Sequence, residues 1–495
     1  MKLLNTDQIR EWDCYSILHK PISSIDLMEN AACASTDWIL RHIEKHIIYI
    51  FCGQGNNGGD GLAIARFLSL TGKLVKVFVL SINKDGSPDF NTNLERLKSI
   101  PSVEIVSLES EESFPLIPQG TIIIDALFGT GLNRKLEGIA ATLIQQINES
   151  KAEIISIDLP SGLLCDESSI GFPVVEASHT LSFQIPKLAL LLPENEIHFG
   201  QVHILDIGLL PAFLDIVETK FEWVNETLIQ QIYRPRKPFA HKGNYGHALL
   251  IAGSYGKMGA AVLSTKTCLK SGAGLVSVHV PKCGLDIVQI SAPEAMCQVD
   301  EEEKIISAIH YDLSSFKAVG IGPGIGNEYK TATFLKELIC QYNNPMVLDA
   351  DAINILSENP DWLTLLPPQS ILTPHVKEFV RLFGEGLNDF EKLEMALQKA
   401  MAYQIIIVLK GHRTFIASPS GKGYFNSTGN AGMATGGSGD VLTGIITGIL
   451  AQGYPPDHAA ILGVYLHGKA GDKAAARYGM DAMLAGDIIG GLGFE

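Results

Sequence analysis

The sequence lacks the features that mark membrane-spanning, secreted and zinc-finger proteins. None of its apolar runs approaches the roughly 18 residues that a membrane span needs. Its N-terminus turns polar too early for a signal peptide. The eight cysteines are scattered without a Cys-x-x-Cys pair, which argues against a zinc site or a disulfide framework. These absences predict a cytoplasmic protein with no membrane partner.

Basic residues are outnumbered. The chain carries 38 lysines and arginines against 54 aspartates and glutamates, a net charge of −16. Such a charge repels nucleic acid at long range, whereas an anionic small molecule needs only local backbone donors. With 495 residues, of which 46% are hydrophobic and 19% charged, the chain is expected to form at least two ordinary globular domains. We therefore expect small-molecule chemistry and no nucleic-acid partner.

The densest group of glycines lies near the C-terminus and leads into an apolar helical pattern. The stretch reads Asn430, Ala431, Gly432, Met433, Ala434, Thr435, Gly436, Gly437, Ser438, Gly439 and Asp440. Backbone N–H groups of such a loop, together with a helix N-terminus, can surround an anion. Asp440 in the first helical turn would face that anion, which suits transfer of protons or phosphoryl groups. The alternative is a tight helix–strand turn, but this glycine density followed by an acid favours a functional site.

In the first half, a continuous apolar run over residues 47–52 predicts a buried parallel strand. A glycine-rich loop at residues 53–61 and then a helical pattern follow, as in the phosphate-binding turn of nucleotide folds. Because Asn56, Asn57 and Asp60 add side-chain donors and acceptors, the expected ligand is held by more than its phosphates.

Polar residues follow several apolar strands of the first half. Asn57, Asp125 and Asp158 lie in such positions, and the carboxyl ends of parallel strands border one crevice. Each aspartate alone could be a helix cap or a turn former, but their coincidence at strand ends favours a site. Asn57, Asp125 and Ser161 offer hard oxygen ligands, which suit an alkali or alkaline-earth cation better than zinc.

The second half repeats the alternation of strands and helices. Apolar strands are predicted at residues 247–252, 318–321, 346–348, 371–372 and 405–409, and this spacing indicates a doubly wound parallel sheet covered on both faces. We place the boundary between the halves within residues 212–235. Two questions stay open here: Lys242 belongs either to a solvated linker or to a phosphate site, and His375 either caps a helix or contacts substrate.

Two sets of motifs carry a resemblance to known enzyme domains. Residues 55–61, 125–134 and 158–162 resemble the NAD(P)H-hydrate epimerase domain. Residues 241–243, 322–324, 349–351, 373–378, 410–411 and 430–440 resemble the ADP/ATP-dependent NAD(P)H-hydrate dehydratase domain. In this order the motifs are similar to those of the bifunctional bacterial NAD(P)H-hydrate repair enzymes over nearly the whole chain. The resemblance implies two doubly wound three-layer α/β domains, a Rossmann-like one at residues 1–215 and a ribokinase-like one at residues 216–495.

The resemblance also implies the chemistry. The substrates would be NADHX and NADPHX, the damaged cofactors in which water has added to the nicotinamide ring and left a hydroxyl at C6. The second domain would use ADP or ATP to remove that hydroxyl from the S epimer, and the first would interconvert the R and S forms. The implied cofactors are K⁺ at the epimerase site and Mg²⁺ with the nucleotide, and a homo-oligomer is expected.

Site residues follow from the resemblance position by position. In the first domain the substrate positions are Asn56, Asn57, Gly58, Gly59, Asp60, Gly129, Thr130, Gly131, Leu132, Asn133, Arg134, Lys135 and Asp158, and the K⁺ ligands are Asn57, Asp125 and Ser161. In the second domain Ala260, Gly324, His375 and Asp440 are substrate positions. The nucleotide positions are Lys410, Gly411, His412, Arg413, Thr414 and the stretch from Asn430 to Gly439. Asp440 and Asp158 are the expected catalytic residues.

Two other functions compete with this interpretation. A ribokinase-like domain can phosphorylate a vitamin or sugar hydroxyl with the same loop and aspartate, and the first half could be a non-catalytic interaction module. A scaffold would be expected to lose its polar strand-end residues, yet Asn57, Asp125 and Asp158 are present. The fused Asn-Asn-Gly-Gly-Asp domain likewise favours the repair enzyme over the kinase.

Overall fold

The chain forms two units, each built around its own β-sheet. A computed structural model describes residues 1–82 and 85–493. One unit comprises Lys2–Thr219 with Asn388–Phe390, and the other comprises Lys220–Leu387 and the chain from Glu391 onward, together with residue 1. We refer to them as the N-terminal and C-terminal units. None of the described helices is both long and apolar enough to cross a membrane.

The N-terminal unit alternates strands with helices along most of its length. Its elements are β1 (Lys2–Leu3), α1 (Thr6–His19), α2 (Ser24–His42), β2 (Ile47–Cys52), α3 (Asn56–Leu70), β3 (Leu74–Leu80), α4 (Pro88–Lys98), β4 (Glu104–Leu108), β5 (Ile122–Ala126), α5 (Ile139–Glu149), β6 (Glu153–Ile157), β7 (His179–Phe183), α6 (Glu196–Phe199), β8 (Gln201–Leu205) and α7 (Ala212–Ile216). The sheet order is β4-β3-β2-β5-β6-β7-β8, and every pair is parallel. The strand order changes direction between β2 and β5, and the crevice there is where open α/β sheets bind ligands.

The sheet of this unit is buried on both faces, as its continuous apolar strands predict. Along β2, Ile48 and Ile50 join a core with residues of α2, α3 and α4. The intervening Tyr49 and Phe51 point to the opposite face and join a second core with residues of α5. The result is a three-layer α/β arrangement.

The C-terminal unit is a larger doubly wound sheet. Its elements are β9 (Phe221–Val224), α8 (Glu226–Ile232), β10 (His247–Ile251), α9 (Met258–Lys270), β11 (Leu275–Val280), α10 (Leu285–Ser291), β12 (Met296–Val299), β13 (Ala318–Ile321), α11 (Tyr329–Gln341), β14 (Met346–Leu348), α12 (Ala350–Glu358), β15 (Ile371–Leu372), α13 (Val376–Phe383), α14 (Asp389–Tyr403), β16 (Ile406–Leu409), β17 (Phe415–Ala417), β18 (Gly423–Asn426), α15 (Ser438–Ala451), α16 (Pro456–Tyr478) and α17 (Ala485–Gly491). Within this unit the sheet order is β9-β18-β17-β16-β15-β14-β13-β10-β11-β12. On β10, Leu249 and Leu250 point to opposite faces and both are fully buried, so helices cover the sheet on both sides.

Helix α15 packs against α9 at unusually short range. A Cβ atom at Gly444 would lie 2.2 Å from the Ser264 carbonyl oxygen, and one at Gly448 would lie 2.0 Å from the Ser271 hydroxyl oxygen. Only glycine leaves room for the two backbones at these positions. The helix that begins beside Asp440 is therefore fixed directly on the backbone of its neighbour.

The structure confirms the predicted fold class: two doubly wound three-layer units, the first Rossmann-like and the second ribokinase-like. The strands predicted at residues 47–52, 318–321, 346–348 and 371–372 are found with those bounds. Two features of the C-terminal unit differ from the expectation. The pairs β16–β17 and β17–β18 are antiparallel, because the chain reverses at residues 410–414 and again at a tight turn that contains Gly421 (φ +81°).

The stretch expected to be an unpatterned boundary also contains regular structure. Strand β9 pairs with β18 and helix α8 follows it. A strand of four residues is too short to give a periodic signal. The boundary at residues 215 and 216 stays a prediction.

Candidate functional site

A cavity of about 820 Å³ lies at the carboxyl ends of β2, β5 and β6 in the N-terminal unit. Most of the predicted substrate positions line it: Asn56, Asn57, Asp60, Gly129, Thr130, Gly131, Leu132, Asn133, Arg134 and Asp158. Three others do not line it. Gly58 and Gly59 are buried inside α3, and the Lys135 amine lies 5.4 Å from the centre of the Phe172 ring.

The glycine-rich stretch at residues 53–61 differs from the loop expected of it. Helix α3 begins at Asn56, so most of these residues are helical. A Cβ atom at Gly58 would lie 1.7 Å from the Gly53 carbonyl oxygen, and one at Gly61 would lie 2.6 Å from the Ala126 Cβ. These glycines therefore allow close packing of the helix on the sheet, and the expectation of a long glycine loop was wrong.

Asp158 forms an ion pair at the edge of this cavity. The Lys187 amine donates to the Asp158 carboxylate at 2.5 Å and to the Phe183 carbonyl at 2.8 Å. The Lys187 side chain is 1% exposed and that of Asp158 is 13% exposed. Asp158 also has a φ of +66°, a left-handed conformation that non-glycine residues rarely adopt. The pair fixes a carboxylate in an orientation that local backbone preference does not favour.

Three further carboxyl groups line the same cavity, those of Asp13, Asp60 and Asp89. Burial raises the pKa of Asp60 well above its usual range, and the nearby carboxylates of Asp158, Asp13 and Asp89 add to the effect. Burial and the Asp158 charge raise the pKa of Asp13 to about 6, with the Lys187 charge opposing them. The cavity therefore contains one carboxyl group, that of Asp13, whose pKa lies near neutral pH.

The three predicted K⁺ ligands lie in one network of contacts. The Ser161 hydroxyl donates to the Asp125 carboxylate at 2.5 Å, and the Ser161 N–H donates to the same carboxylate at 2.9 Å. The Phe128 N–H donates to the Ser161 hydroxyl oxygen at 2.8 Å. A Cβ atom at Gly129, the next residue, would lie 3.4 Å from the Asn57 amide oxygen.

Asn57 is the member of this network that is left without partners. Both polar atoms of its amide are buried without a hydrogen bond among the described residues, a costly condition that a bound cation beside the amide oxygen would relieve. Burial raises the pKa of Asp125, although hydrogen bonds from Ser161, Ser156 and Leu127 favour its charged form. The donor set therefore fits a cation. Among the described residues no cluster of His, Cys, Asp and Glu has a metal-binding arrangement, and this set depends instead on an amide and a hydroxyl.

In the C-terminal unit, Asp440 lies in the first turn of α15 beside an ion pair. The Lys410 amine donates to the Asp349 carboxylate at 2.8 Å, and the Thr443 hydroxyl donates to the other Asp349 oxygen at 2.7 Å. A Cβ atom at Gly439 would lie 3.4 Å from the Lys410 amine, so the start of α15 touches this pair. Lys410 thus connects the end of β16 to the end of β14 and to α15.

Charges around Asp440 adjust its proton affinity. Burial and the Asp349 charge raise its pKa to about 6, and the Lys410 charge opposes the shift. For Lys410, burial favours the neutral amine, but the Asp349 and Glu378 carboxylates outweigh burial and raise its pKa. Asp440 is thus a base whose proton affinity lies near neutral pH, beside a cation that stays charged.

The loop before α15 is held open by glycine and by an acidic partner. Gly437 has a φ of +89°, and a Cβ atom there would lie 2.5 Å from Leu263. The Asn430 amide and the Gly429 N–H both donate to the Asp472 carboxylate, at 2.8 and 3.0 Å. This leaves the helix N-terminus facing the loop, as anion binding requires. Residues Ala431–Met433 form one short helical turn.

The remaining nucleotide positions lie between β16 and β17. The Thr414 hydroxyl donates to the Gly411 carbonyl at 2.9 Å, which closes the turn that contains His412. The Arg413 guanidinium donates to the Ser427 carbonyl at 3.0 Å and lies over the Trp223 ring.

The remaining substrate positions have defined places. His375 caps α13, because its ring nitrogen accepts from the N–H groups of Lys377 and Glu378 at 3.1 and 3.3 Å. The backbone of His375 also pairs with that of Lys410 in an isolated β-bridge, beyond the ends of β15 and β16. His375 therefore caps α13 and also lies close to the site. A Cβ atom at Gly324 (φ +65°) would lie 3.2 Å from that of Ala260, which brings these two positions together. Lys242 lies in a short helical turn capped by His241, and its two interpretations stay open.

Comparison with known proteins finds the same two-part organisation. Residues 24–189 match the family described as YjeF-related protein N-terminus, and residues 248–492 match NAD(P)H-hydrate dehydratase. A bifunctional NAD(P)H-hydrate repair enzyme of Moorella thermoacetica is 37% identical over 506 residues, covering 99% of this chain and 95% of the relative. The chain belongs to the family of bifunctional NAD(P)H-hydrate repair enzymes. A repair enzyme of Escherichia coli is 34% identical over 89% of this chain and 83% of its own length.

Among solved structures, the chain is similar to an ADP/ATP-dependent NAD(P)H-hydrate dehydratase from Bacillus subtilis co-crystallised with ATP and Mg²⁺. The identity is 30%, the match covers 54% of this chain and 94% of the other, and the TM-score is 0.47.

Several residues at the two sites of this repair-enzyme chain were not anticipated from the sequence. Asp349 was recognised in a motif but was given no role, and Thr443, Asp472, Asp13 and Lys187 were not singled out. The strand-end rule could have identified Asp349, because it directly follows β14. Asp13 lies on a helix before the first long strand, and Lys187 lies outside any strand or motif, so neither gives a local signal.

Proposed function

We propose that this chain repairs hydrated NADH and NADPH with two separate sites. The cavity of the N-terminal unit epimerises R and S NAD(P)HX, and the C-terminal unit dehydrates the S epimer to NAD(P)H at the expense of ADP or ATP. The observation that carries the proposal is the position of Asp440, whose pKa is raised to about 6 at the start of α15 beside the Lys410–Asp349 pair. Family membership favours this function over a vitamin or sugar kinase.

Dehydration needs a better leaving group than hydroxide. In the proposed reaction Asp440 removes the proton of the C6 hydroxyl, whose oxygen then attacks the terminal phosphorus of the nucleotide. The shortened nucleotide departs, and phosphate then leaves C6 with the electron pair of the C–O bond. Loss of a proton from C5 restores the ring double bond. The glycine-rich loop before α15 and the charged Lys410 would stabilise the negative charge that develops on the transferred group.

The nucleotide is expected to bring Mg²⁺ with it. Magnesium keeps several waters and binds through few carboxylates together with substrate phosphates. Both Asp349 oxygens already accept hydrogen bonds, from Lys410 and Thr443, so the nucleotide phosphates and water would supply most of the coordination. When bound, the ion would offset charge on the phosphates during transfer.

Epimerisation is assigned to the cavity that contains the Asp158–Lys187 pair, with Asp158 as a proton-transfer residue. Asn57, Asp125 and Ser161 would hold K⁺, because one carboxylate, one amide and one hydroxyl suit a monovalent, weakly hydrated ion. The unpartnered amide of Asn57 supports this part of the proposal. The ion would order the start of α3 next to the substrate positions.

One assay tests the whole proposal. A mixture of hydrate epimers is incubated with the full-length protein and either ADP or ATP, and the return of reduced-nicotinamide absorbance is followed. Complete conversion of both epimers is expected, faster than the spontaneous interconversion of R and S allows. If absorbance does not return with either nucleotide, the proposal is wrong. Phosphorylation of a vitamin or sugar without repair would favour the kinase.

The division of labour at residues 215 and 216 belongs to the proposal. A chain of residues 216–495 is expected to fold and to dehydrate the S epimer, while the R epimer disappears only at its spontaneous rate. Chromatography of the two epimers against time provides the measurement. Equal consumption of both epimers by this fragment would contradict the division.

A cytoplasmic location and a homo-oligomeric state complete the proposal. All eight cysteines are free thiols, which fits a reducing compartment and supports the location. Cell fractionation and light scattering of the purified protein are the corresponding measurements, and a secreted or monomeric protein would contradict these two points.

A further inference from the structure

Helix α1 presents one carboxylate to the cavity of the N-terminal unit. Ile9, Asp13 and Ile17 recur at every fourth position of α1, and all three line the cavity. A polar residue on this otherwise apolar stripe faces the same space as the Asp158–Lys187 pair. No sequence motif includes Asp13.

We propose that Asp13 is the second proton-transfer residue of epimerisation and acts as the acid opposite Asp158. This inference rests on the proposed function of the N-terminal unit and adds a residue to it. Asp13 and Asp158 line one cavity, and among the residues that the structure describes only Asp158 of the two has a lysine salt-bridge partner. Two carboxyl groups in unequal surroundings are suited to opposite roles in one reaction.

Helix α1 holds Asp13 in place. The Trp12 indole N–H donates to the Leu210 carbonyl at 2.7 Å, and the Leu210 N–H donates to the Ser16 hydroxyl oxygen at 3.0 Å. At the start of the helix, the Thr6 N–H and hydroxyl both donate to Asp166, at 2.8 and 2.7 Å. A helix fixed at three points by the rest of the unit can position a side chain as reproducibly as a strand end can.

The Asp13 carboxyl itself is left available. No described residue donates a hydrogen bond to it; burial and charge alone raise its pKa to about 6. The charged and titratable groups that face it are Asp158, Lys187 and Asp60, while Asp89 acts on Asp60. Asp60 is held much more strongly in its neutral form, so Asp13 is the better partner for repeated exchange near neutral pH.

The proposed step moves two protons and keeps its balance. The hydrate carries its hydroxyl on C6, next to ring nitrogen N1. Asp158 takes the hydroxyl proton, the O–H electron pair forms the carbonyl, and the C6–N1 bond breaks with its electrons going to N1. Asp13 gives its proton to N1. After rotation about the C5–C6 bond, N1 attacks the other face of the aldehyde and both protons return to their donors.

The first test compares Asp13→Asn with Asp7→Asn in the full-length protein. Asp7 lies on the same helix outside the cavity, with an 84% exposed side chain, so it controls for loss of one charge from α1. Asp13→Asn is expected to lower the enzyme-dependent epimerisation of purified R hydrate by about 10²–10⁴-fold. Dehydration of S hydrate by the same protein should stay unchanged, which confines the effect to the N-terminal unit, and a thermal unfolding curve like that of Asp7→Asn would show that this unit is folded. Epimerisation by Asp13→Asn at the rate of Asp7→Asn would overturn the inference.

Two further readouts separate proton transfer from a structural role. In the native protein, kcat/KM for R hydrate should fall as pH rises through about 6, because Asp13 must be protonated. This limb should be absent in Asp13→Asn. Added formate should restore epimerisation to Asp13→Ala in proportion to its concentration. A limb that persists in Asp13→Asn, or Asp13→Ala that formate does not rescue, would overturn the role. Failure of the native protein to epimerise would instead refute the proposed function itself.

Discussion

The two sites contain the same kinds of group but differ in what surrounds them. The N-terminal unit places Asp13 beside the Asp158–Lys187 pair, and the C-terminal unit places Asp440 beside the Asp349–Lys410 pair. In each, burial and a neighbouring carboxylate raise the pKa of one aspartate to about 6. A lysine–aspartate pair next to an aspartate near neutrality is therefore not specific for one reaction.

The backbone around these groups makes the difference. Asp440 begins a helix behind a glycine-rich loop, with Gly437 in a left-handed conformation that leaves N–H groups free to meet phosphate. The glycines of α3 in the N-terminal unit are packed against the sheet instead, and the unpartnered group there is the Asn57 amide. The comparison teaches that one site is suited to stabilise a transferred anion, and the other to exchange protons, with K⁺ at the Asn57 amide as part of the proposed function.

The largest effect is expected from Asp440→Asn, which removes the base and preserves the shape of the side chain. Dehydration should fall by about 10²–10⁴-fold, with epimerisation unchanged. Absorbance recovery from S hydrate measures the first activity, and chromatography of R hydrate measures the second. Asp457→Asn, in the first turn of α16, is the matched control. Near-normal dehydration by a folded Asp440→Asn protein would show that Asp440 is not the base of the C-terminal site.

A smaller effect is expected from the cation at the N-terminal site. Epimerisation should be faster in K⁺ than in Na⁺ or a bulky organic cation, and Asp125→Ala should remove this preference. Loss of a ligand should cost at least the roughly 10–100-fold that outer partners contribute to metal sites. Asn57→Ala is expected to remove the preference as well, and Asn93→Ala, which changes another buried amide of this unit, is its control. Equal native rates in all three salts would show that the Asn57 amide is unpartnered for another reason.

The smallest expected effect is that the rates of the two reactions change with pH in opposite directions. Dehydration requires ionised Asp440, so kcat/KM for S hydrate should fall about tenfold per unit as pH drops below about 6. Epimerisation should have the opposite slope in the same range if Asp13 is its acid. Parallel pH profiles of the two reactions in one buffer series provide the measurement. Identical profiles would mean that the two aspartates do not differ in role.

Much of the fold was predictable because buried parallel strands appear in a sequence as continuous apolar runs. The Asp125–Ser161 contact also follows from sequence, since both residues come at the carboxyl ends of neighbouring strands. Asp440 was found from its glycine-rich surroundings. Sequence reasoning reaches these residues because their positions are linked to their local backbone, and the role of Asp440 stays a prediction.

The residues that were missed depend on contacts distant in sequence. Asp158 and Lys187 are 29 positions apart, and Asp472 reaches Asn430 from the middle of α16. Asp13 faces the cavity because α1 docks on the segment at Leu210, which no local pattern reveals. The glycines at residues 58–61 were misinterpreted for a related reason: glycine serves loops and close packing equally, and only the neighbouring backbone distinguishes them.

The contact between α15 and α9 determines how precisely Asp440 is positioned in the C-terminal site. Gly444 and Gly448 lie against the backbone of α9, so the two helices are in direct contact at these points. Helix α15 therefore cannot move towards α9 without a clash. Asp440 is rigidly connected to that helix, and Ala260 lies on α9 itself. A methyl group added at Gly444, one helical turn beyond Asp440, would shift α15 and with it the Asp440 carboxylate. A misplacement of about 1 Å can cost about 10²-fold in rate. The accurate placement of Asp440 thus depends also on residues that do not contact the substrate.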